Sequence, residues 1–464
     1  MLSLQRYIDK LNQIVWGAPL LVLLTVVGVY LTIRLRGIQF RYFWYAHKLA
    51  FTRNDHHAEG DITHFQALMT ALAGTIGIGS ITGVATAIAL GGVGSIFWMW
   101  IAAGLGMATK YAEAVLAVKY RIVDGDTSVR GGPMYYLEKG LNQKWLAVAF
   151  AIFGVLAAIG TGNMVQSNSV ALACQNLLHI DPLYTGIGLM ILCGVFLLKG
   201  IKSIGKLSSI LIPIMALFYM VGGLLIICFK IRDLPGAFFT IIQAGLTPQA
   251  AVGGFLGATI MQSIQMGMSR GVFSSEAGLG TSPIAAAAAK TDMPSRQALV
   301  SMCSVFITTG IVCTITALTI VLTNVLGQTD AEGKLLTGSI LVLKAFNTVI
   351  PGGGMIVTIA LIPFAFSTII GWAYYGEKCL EYLCGQKSVI YYRLIYIGLI
   401  LPGAILSLDL VWGLANILNG LMAFPNLIGL FCLAGVVVKE TDLFDRIRQQ
   451  EKKQERMASI KALE

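Results

Sequence analysis

The chain has 464 residues, 56% of them hydrophobic and only 12% charged, where soluble domains carry about 25% charged residues. So much apolar surface excludes a single water-soluble core and points to repeated membrane spans. The formal net charge of +10 would suit nucleic acid only if the basic residues gathered on one soluble face. They lie between apolar runs instead, so no nucleic-acid partner is expected.

The first apolar run, 14–33, is about the ~20 residues that a crossing needs. It is followed by arginines rather than a small-residue cleavage site, so it reads as a span and not as a cleavable signal peptide. Next comes the basic connection "RLRGIQFRYFWYAHKLAFTR", and then ten more apolar segments, at 66–92, 94–120, 145–177, 183–198, 207–229, 251–289, 298–326, 355–375, 389–406 and 411–438. Placing the first connection in the cytoplasm puts most of the 33 Lys and Arg on that side, as the positive-inside rule requires. An all-α, multi-pass protein of about eleven spans is therefore expected, in a bacterial inner membrane, with the N-terminus outside and the C-terminus inside. The tail, 439–464, reads as a basic amphipathic helix drawn to anionic lipid of the inner leaflet.

Segments two and seven are unusually long, and each is interrupted by glycine and hydroxyl residues, in "GTIGIGS" and "MGMSRGVFSSEAGLG". Glycine costs about 1 kcal/mol relative to alanine within a helix, and an unwound stretch in mid-membrane is tolerable only where it lines a cavity or meets a ligand. The two segments stand five places apart, so they cross in opposite directions. Matched broken helices of opposite sense are the sequence mark of a transporter built from inverted repeats. The repeats would be 66–229 and 251–438, with span 14–33 outside them and 1–438 forming one transport domain. Freed N–H groups at a half-helix N-terminus suit a carboxylate, and freed carbonyls suit a cation.

Other intramembrane polar residues are candidates for the cavity wall. Asn163 and Gln166 share a face of segment four, while Asn168 projects elsewhere; helix-to-helix hydrogen bonds are the plainer reading of this cluster. Glu276 is a functional candidate by its depth, with a structural pairing to Arg270 or Lys110 as the favoured alternative. Ser367 and Thr368 offer adjacent hydroxyls, which could equally back-bond to the preceding turn. The eight cysteines read as small apolar packing residues. The five histidines, His47, His56, His57, His64 and His179, all fall outside the predicted spans, which argues against a membrane enzyme. The sequence contains no phosphate loop of the form G-x-x-x-x-G-K-[ST], which argues against a nucleotide-driven pump.

Six blocks in order, "TIGIGSITGVATAIALGGVGSIFWMW", "KYAEAVLAVKYR", "GGPMYYLEKGL", "NMVQSNSVA", "RGVFSSEAGLGTSPIAAAAAKTD" and "FAFSTIIGWAYYGEK", resemble the alanine or glycine:cation symporter family from about residue 66 to 378. The resemblance implies a leucine-transporter-like fold of five plus five helices. It also implies import of a small neutral amino acid with sodium, with no organic cofactor and no catalytic residues. On that resemblance the backbone at Ile78 and Gly79 would receive the substrate carboxylate, with Thr75, Gln166, Phe273, Ser274 and Trp372 around it. Phe273 and Ser274 would follow the unwound stretch of segment seven, with Glu276 just beyond it. Trp372 would act as an apolar lid, or else anchor at the headgroup boundary. The carbonyls of Ala73, Ile76 and Phe364 and the hydroxyls of Ser367 and Thr368 would hold sodium.

Three positions depart from the family pattern. Ile78 stands for a threonine, and Ser80 and Ser275 each stand for an asparagine. An uncoupled or proton-coupled transporter, or a non-transporting sensor, would share these features.

Overall fold

The sequence folds almost entirely into helices in the computed structural model, which describes residues 2–52, 59–123, 129–247, 260–329, 333–406 and 408–461. Helix α1 (Leu2–Val15) precedes α2 (Ala18–Arg34), which opens with proline in its first turn, where a missing N–H costs little. Helix α3 (His64–Thr75) starts at a capping box: the Thr63 hydroxyl accepts from the Gln66 N–H and the Gln66 side chain accepts from the Thr63 N–H. Residues 76–78 leave the helix. A π-helical turn, Gly79–Gly83, then leads into α4 (Val84–Gly91), and the two halves are bent by 52°.

Helix α5 (Gly94–Lys119) follows, and then α6 (Lys144–Ala157), which runs through the π-helical Ala158–Met164 into α7 (Val165–Leu178). Next are α8 (Pro182–Leu197), α9 (Ile201–Phe229), α10 (Leu234–Leu246), α11 (Ile260–Ser275) and α12 (Ser282–Ala287). Helix α13 (Pro294–Val305) continues through π-helical Phe306–Cys313 into α14 (Thr314–Leu322). The chain ends with α15 (Gly338–Val349), α16 (Gly353–Cys384), α17 (Val389–Gly398), α18 (Ile400–Ile405), α19 (Leu408–Cys432) and α20 (Ala434–Lys461).

Among the described residues eight helices are long and apolar enough to cross a membrane, and the bent pair α3 and α4 makes nine. Helix α8 is shorter, and the predicted start of segment seven, 251–259, lies outside the described residues. Length alone therefore does not reach eleven. Helices α10 and α15 occupy connections that the span-length window passes over. Helix α5 is the most enclosed candidate span, 83% of its apolar window being buried, whereas α9 is 44% buried and faces outward. Helix α5 packs on α11 and α13, and α3 lies between α9 and α16. Both broken segments thus meet the centre of the bundle.

The acids of the tail helix meet the protein's own connections. Glu440 of α20 pairs with Lys119 at 2.7 Å, Asp445 with Arg41 at 2.7 Å, and Glu451 with Arg296. Tyr42 also donates to Asp445 at 2.7 Å. Burial, and then that hydrogen bond, pushes the Tyr42 hydroxyl up to about 12. Among the tail's basic residues, Arg448 pairs with Glu451 and Glu455 of the same helix.

Candidate substrate and ion site

The first break is built by close approach of α3 and α16. Gly371 of α16 sits against Ala73 and Gly74, where even a methyl group would be 3.3 Å from the Gly74 nitrogen. At this range α16 side chains reach the last carbonyls of α3, which have no partner within the helix. Thr368 Oγ1 donates to the Ala73 carbonyl at 2.9 Å, and Trp372 Nε1 donates to the Gly74 carbonyl at 3.3 Å. Ser367 Oγ back-bonds to the Phe364 carbonyl at 2.8 Å. Of the five expected cation ligands, Ala73 is bonded to Thr368 and Phe364 to Ser367. Ile76 ends α3 with ψ 84°, its N–H on the Leu72 carbonyl.

Gly77 makes this packing possible, because a side chain there would run into Thr368 Oγ1. The other near neighbour of Gly77 is Gln166 Oε1, a buried amide oxygen with no hydrogen-bond partner, while Gln166 Nε2 donates to the Thr161 carbonyl at 3.0 Å. Asn163 and Asn168 follow the plainer reading: Asn163 Nδ2 donates to the Tyr396 carbonyl, and Asn168 Nδ2 to those of Gly403 and Leu406. Trp372 is 1% exposed and fits against Gly162, where no side chain could stand. It is a core residue, not a headgroup anchor.

On the other side of the break, Ile78 is fully buried and leads into the Gly79 turn with no side chain capping it. The Thr75 hydroxyl turns back to the Ala71 carbonyl at 3.0 Å. Phe273 lies on Gly79, where a methyl group would be 3.0 Å from its ring. Ser80 and Ser274 exchange a hydroxyl bond at 2.9 Å, and Thr316 Oγ1 donates to the Ser80 carbonyl at 3.0 Å. Ser80 therefore ties the first broken segment to α11 and α14. Trp412, which sequence reasoning passed over, stacks on Phe273 with ring centroids 5.4 Å apart; an aromatic in an apolar run carries no local signal of such a role.

The second break lies later than the sequence suggested. Helix α11 continues through Phe273, Ser274 and Ser275, and the chain unwinds from Glu276 to Thr281. Gly278 (φ +90°) and Gly280 (φ +83°) make the turn, whereas Gly267 and Gly271 stay helical and let α5 approach at Ser95 and Ala102. Two residues of α5 hold the opened ends. Lys110 Nζ donates to the Ser275 carbonyl at 2.9 Å, and Glu113 Oε1 accepts from the N–H groups of Gly278 and Gly280 and from Asn426 Nδ2. Glu276 makes no ion pair with Arg270 or Lys110; it accepts from Thr281 Oγ1 at 2.7 Å, and its Oε1 has no hydrogen-bond partner. Arg270 instead reaches Asn416 and stacks on Trp412 and Phe273.

With this geometry in place, comparison with known proteins is informative. The chain is 53% identical over 454 residues to the sodium/alanine symporter AgcS of Methanococcus maripaludis, which covers 96% of this chain and 98% of that protein. It is 36% identical over 448 residues to the "Probable sodium/glutamine symporter GlnT" of Bacillus subtilis, covering 96% and 91%. Among solved structures it resembles MhsT in complex with L-phenylalanine, with a TM-score of 0.54 and 14% identity, covering 83% of this chain and 99% of that one. The leucine-transporter-like fold that the family resemblance implies is therefore shown. The sodium:alanine symporter family profile matches residues 1–458, and the chain belongs to that family of multi-pass, sodium-coupled amino-acid transporters.

Proposed function

We propose that the protein imports a small neutral amino acid, alanine or glycine, together with sodium, by alternating access between its two helical repeats. Sodium occupies the oxygen cluster of Ala73, Ile76, Phe364, Ser367 and Thr368 and orders the end of α3. The substrate carboxylate then docks on the N–H groups of Ile78 and Gly79. Gln166 Oε1 accepts from the substrate, Phe273, Ser274 and Trp372 close around it, and Thr75 supports the turn. One bundle rocks against the other, and the site opens to the cytoplasm.

The observation that carries this reading is the Thr368–Ala73 contact, with unpartnered Gln166 Oε1 beside the same Gly77. Thr368 Oγ1 and Gln166 Oε1 thus lie against Gly77 with the Ala73 carbonyl bonded to the first of them, and Glu276 Oε1 lies against Gly74. Small size of the substrate is supported by the complete burial of Ile78 and by the contact of Phe273 with Gly79. Coupling follows if sodium stabilises the substrate-binding arrangement, typically by ~1–3 kcal/mol. The test is uptake of labelled alanine and glycine by proteoliposomes with and without an inward sodium gradient. Accumulation is expected only with the gradient, and equal uptake in both conditions would overturn sodium symport.

A further inference from the structure

Beside the buried site lies a cavity of about 520 Å³, between α1, the α4 half-helix, α11 and α19, within the ~300–1,000 Å³ usual for small-ligand sites. Its lining residues are neutral except for one, Arg270. Arg270 Nη1 donates to Asn416 Oδ1 at 3.3 Å, Nε has no hydrogen-bond partner, and no acidic side chain pairs with it among the described residues. The guanidinium carbon lies 5.1 Å from the Trp412 ring centroid and 5.9 Å from that of Phe273. Such stacking fixes the plane of a guanidinium. Thr82, also in the lining, adds a buried hydroxyl oxygen without a hydrogen-bond partner. A guanidinium edge matches a carboxylate in geometry, so Arg270 suits the carboxylate end of a zwitterionic amino acid.

We infer that this cavity is a capture subsite in which the Arg270 guanidinium holds the carboxylate of an incoming amino acid before it reaches the buried site. Phe273 is common to both places: Arg270 stacks on it from the cavity, and Gly79 touches it from the first break. The Phe273–Trp412 pair is the partition that the amino acid passes. Transfer hands the carboxylate from Arg270 to the backbone N–H groups of the break, with its charge met at both stations. The inference rests on the proposed reading that the first break receives the amino acid.

The experiment measures initial uptake of labelled alanine by proteoliposomes at fixed sodium, below and above half-saturation, for wild type, Arg270→Gln and Arg270→Lys. Ionic strength is held constant with choline gluconate. Arg270→Gln is expected to lower the rate at low alanine by about tenfold or more, as loss of a charge-assisted bond to the carboxylate does, while the saturated rate and the sodium dependence hold. Arg270→Lys, which keeps the charge, should recover most of the loss. The inference is overturned by an unchanged low-alanine rate in Arg270→Gln, or by equal losses in both variants at every alanine concentration. Suppression by choline chloride beyond that by gluconate at the same ionic strength would put an inorganic anion on Arg270 and would overturn it too. Failure of the buried-site reading has a different signature: Ile78→Thr would leave competition among amino acids unchanged while the Arg270 results stood.

Discussion

The ion site is most directly tested by removing its two hydroxyls, with Thr368→Val and Ser367→Ala made singly and together. Bonds from neutral groups to charged ones contribute ~1.5–3 kcal/mol. Each hydroxyl, however, already satisfies a carbonyl when no ion is bound, Thr368 on Ala73 at 2.9 Å and Ser367 on Phe364 at 2.8 Å. Losing that ordinary bond, worth ~1 kcal/mol, raises the ion-free state as well. The net loss of sodium binding is then ~0.5–2 kcal/mol for each substitution, the difference between those two contributions. The double variant then loses ~1–4 kcal/mol, and at 1.4 kcal/mol per factor of ten it should need at least about fivefold more sodium for half-maximal uptake. Valine keeps the branched shape of Thr368, so the packing against Gly77 changes little. The assay is initial alanine uptake by proteoliposomes across a sodium series at saturating alanine, normalised to reconstituted protein. A double variant whose half-saturating sodium is indistinguishable from that of wild type would refute the reasoning.

Three further outcomes are expected. Ile78→Thr replaces the ethyl arm by a hydroxyl beside the proposed carboxylate position, a net loss of one heavy atom; a methyl-sized change in a tight pocket is worth ~1–3 kcal/mol, so competition of glycine or alanine against valine should shift by roughly tenfold. A competition profile superimposable on wild type would place Ile78 outside the pocket. Gly77→Ala drives a methyl group into Thr368 Oγ1, and such overpacking costs ~1–3 kcal/mol; sodium-driven uptake should fall at least about tenfold at equal protein, and normal uptake would show that α3 and α16 separate freely here. Arg296→Ala removes the pairings with Asp292 and Glu451 and should speed amide exchange within 434–461; unchanged exchange would mean that the other contacts of α20 suffice.

How much of this was legible in the sequence depends on whether the cause was local. The first break was legible because three glycines and a hydroxyl within an apolar run form a local conflict with helix propensity. The Ser367–Thr368 pair could be singled out in the same way, although only the fold separates their roles, one hydroxyl turning back on its own helix and the other crossing to Ala73. The second break was misplaced because Gly267, Gly271, Gly278 and Gly280 look alike in sequence. Their difference lies across the bundle, in Ser95 and Ala102 for the first two and Glu113 for the others. The anchoring of the tail's acids is not legible for the same reason, since Arg41, Lys119 and Arg296 are distant along the chain from the acids they meet.

The contrast between the two breaks is itself an argument about function. An unwound segment exposes carbonyls at one end and N–H groups at the other, and within a membrane something must satisfy both. At the second break the protein supplies them from α5, an ammonium for the Ser275 carbonyl and a carboxylate for the Gly278 and Gly280 N–H groups. Those groups are permanent, so this break can act as a fixed frame. At the first break no charged side chain bonds residues 76–79 among the described residues. The groups available there are hydroxyls, an amide, backbone and, against Gly74, the Glu276 Oε1 that has no hydrogen-bond partner. A sodium ion and an amino-acid carboxylate would supply the same two charges that Lys110 and Glu113 supply to the second break. On the proposed reading both must therefore be present before the first break is as well satisfied as the second, which gives a physical reason for ion and substrate to be bound together.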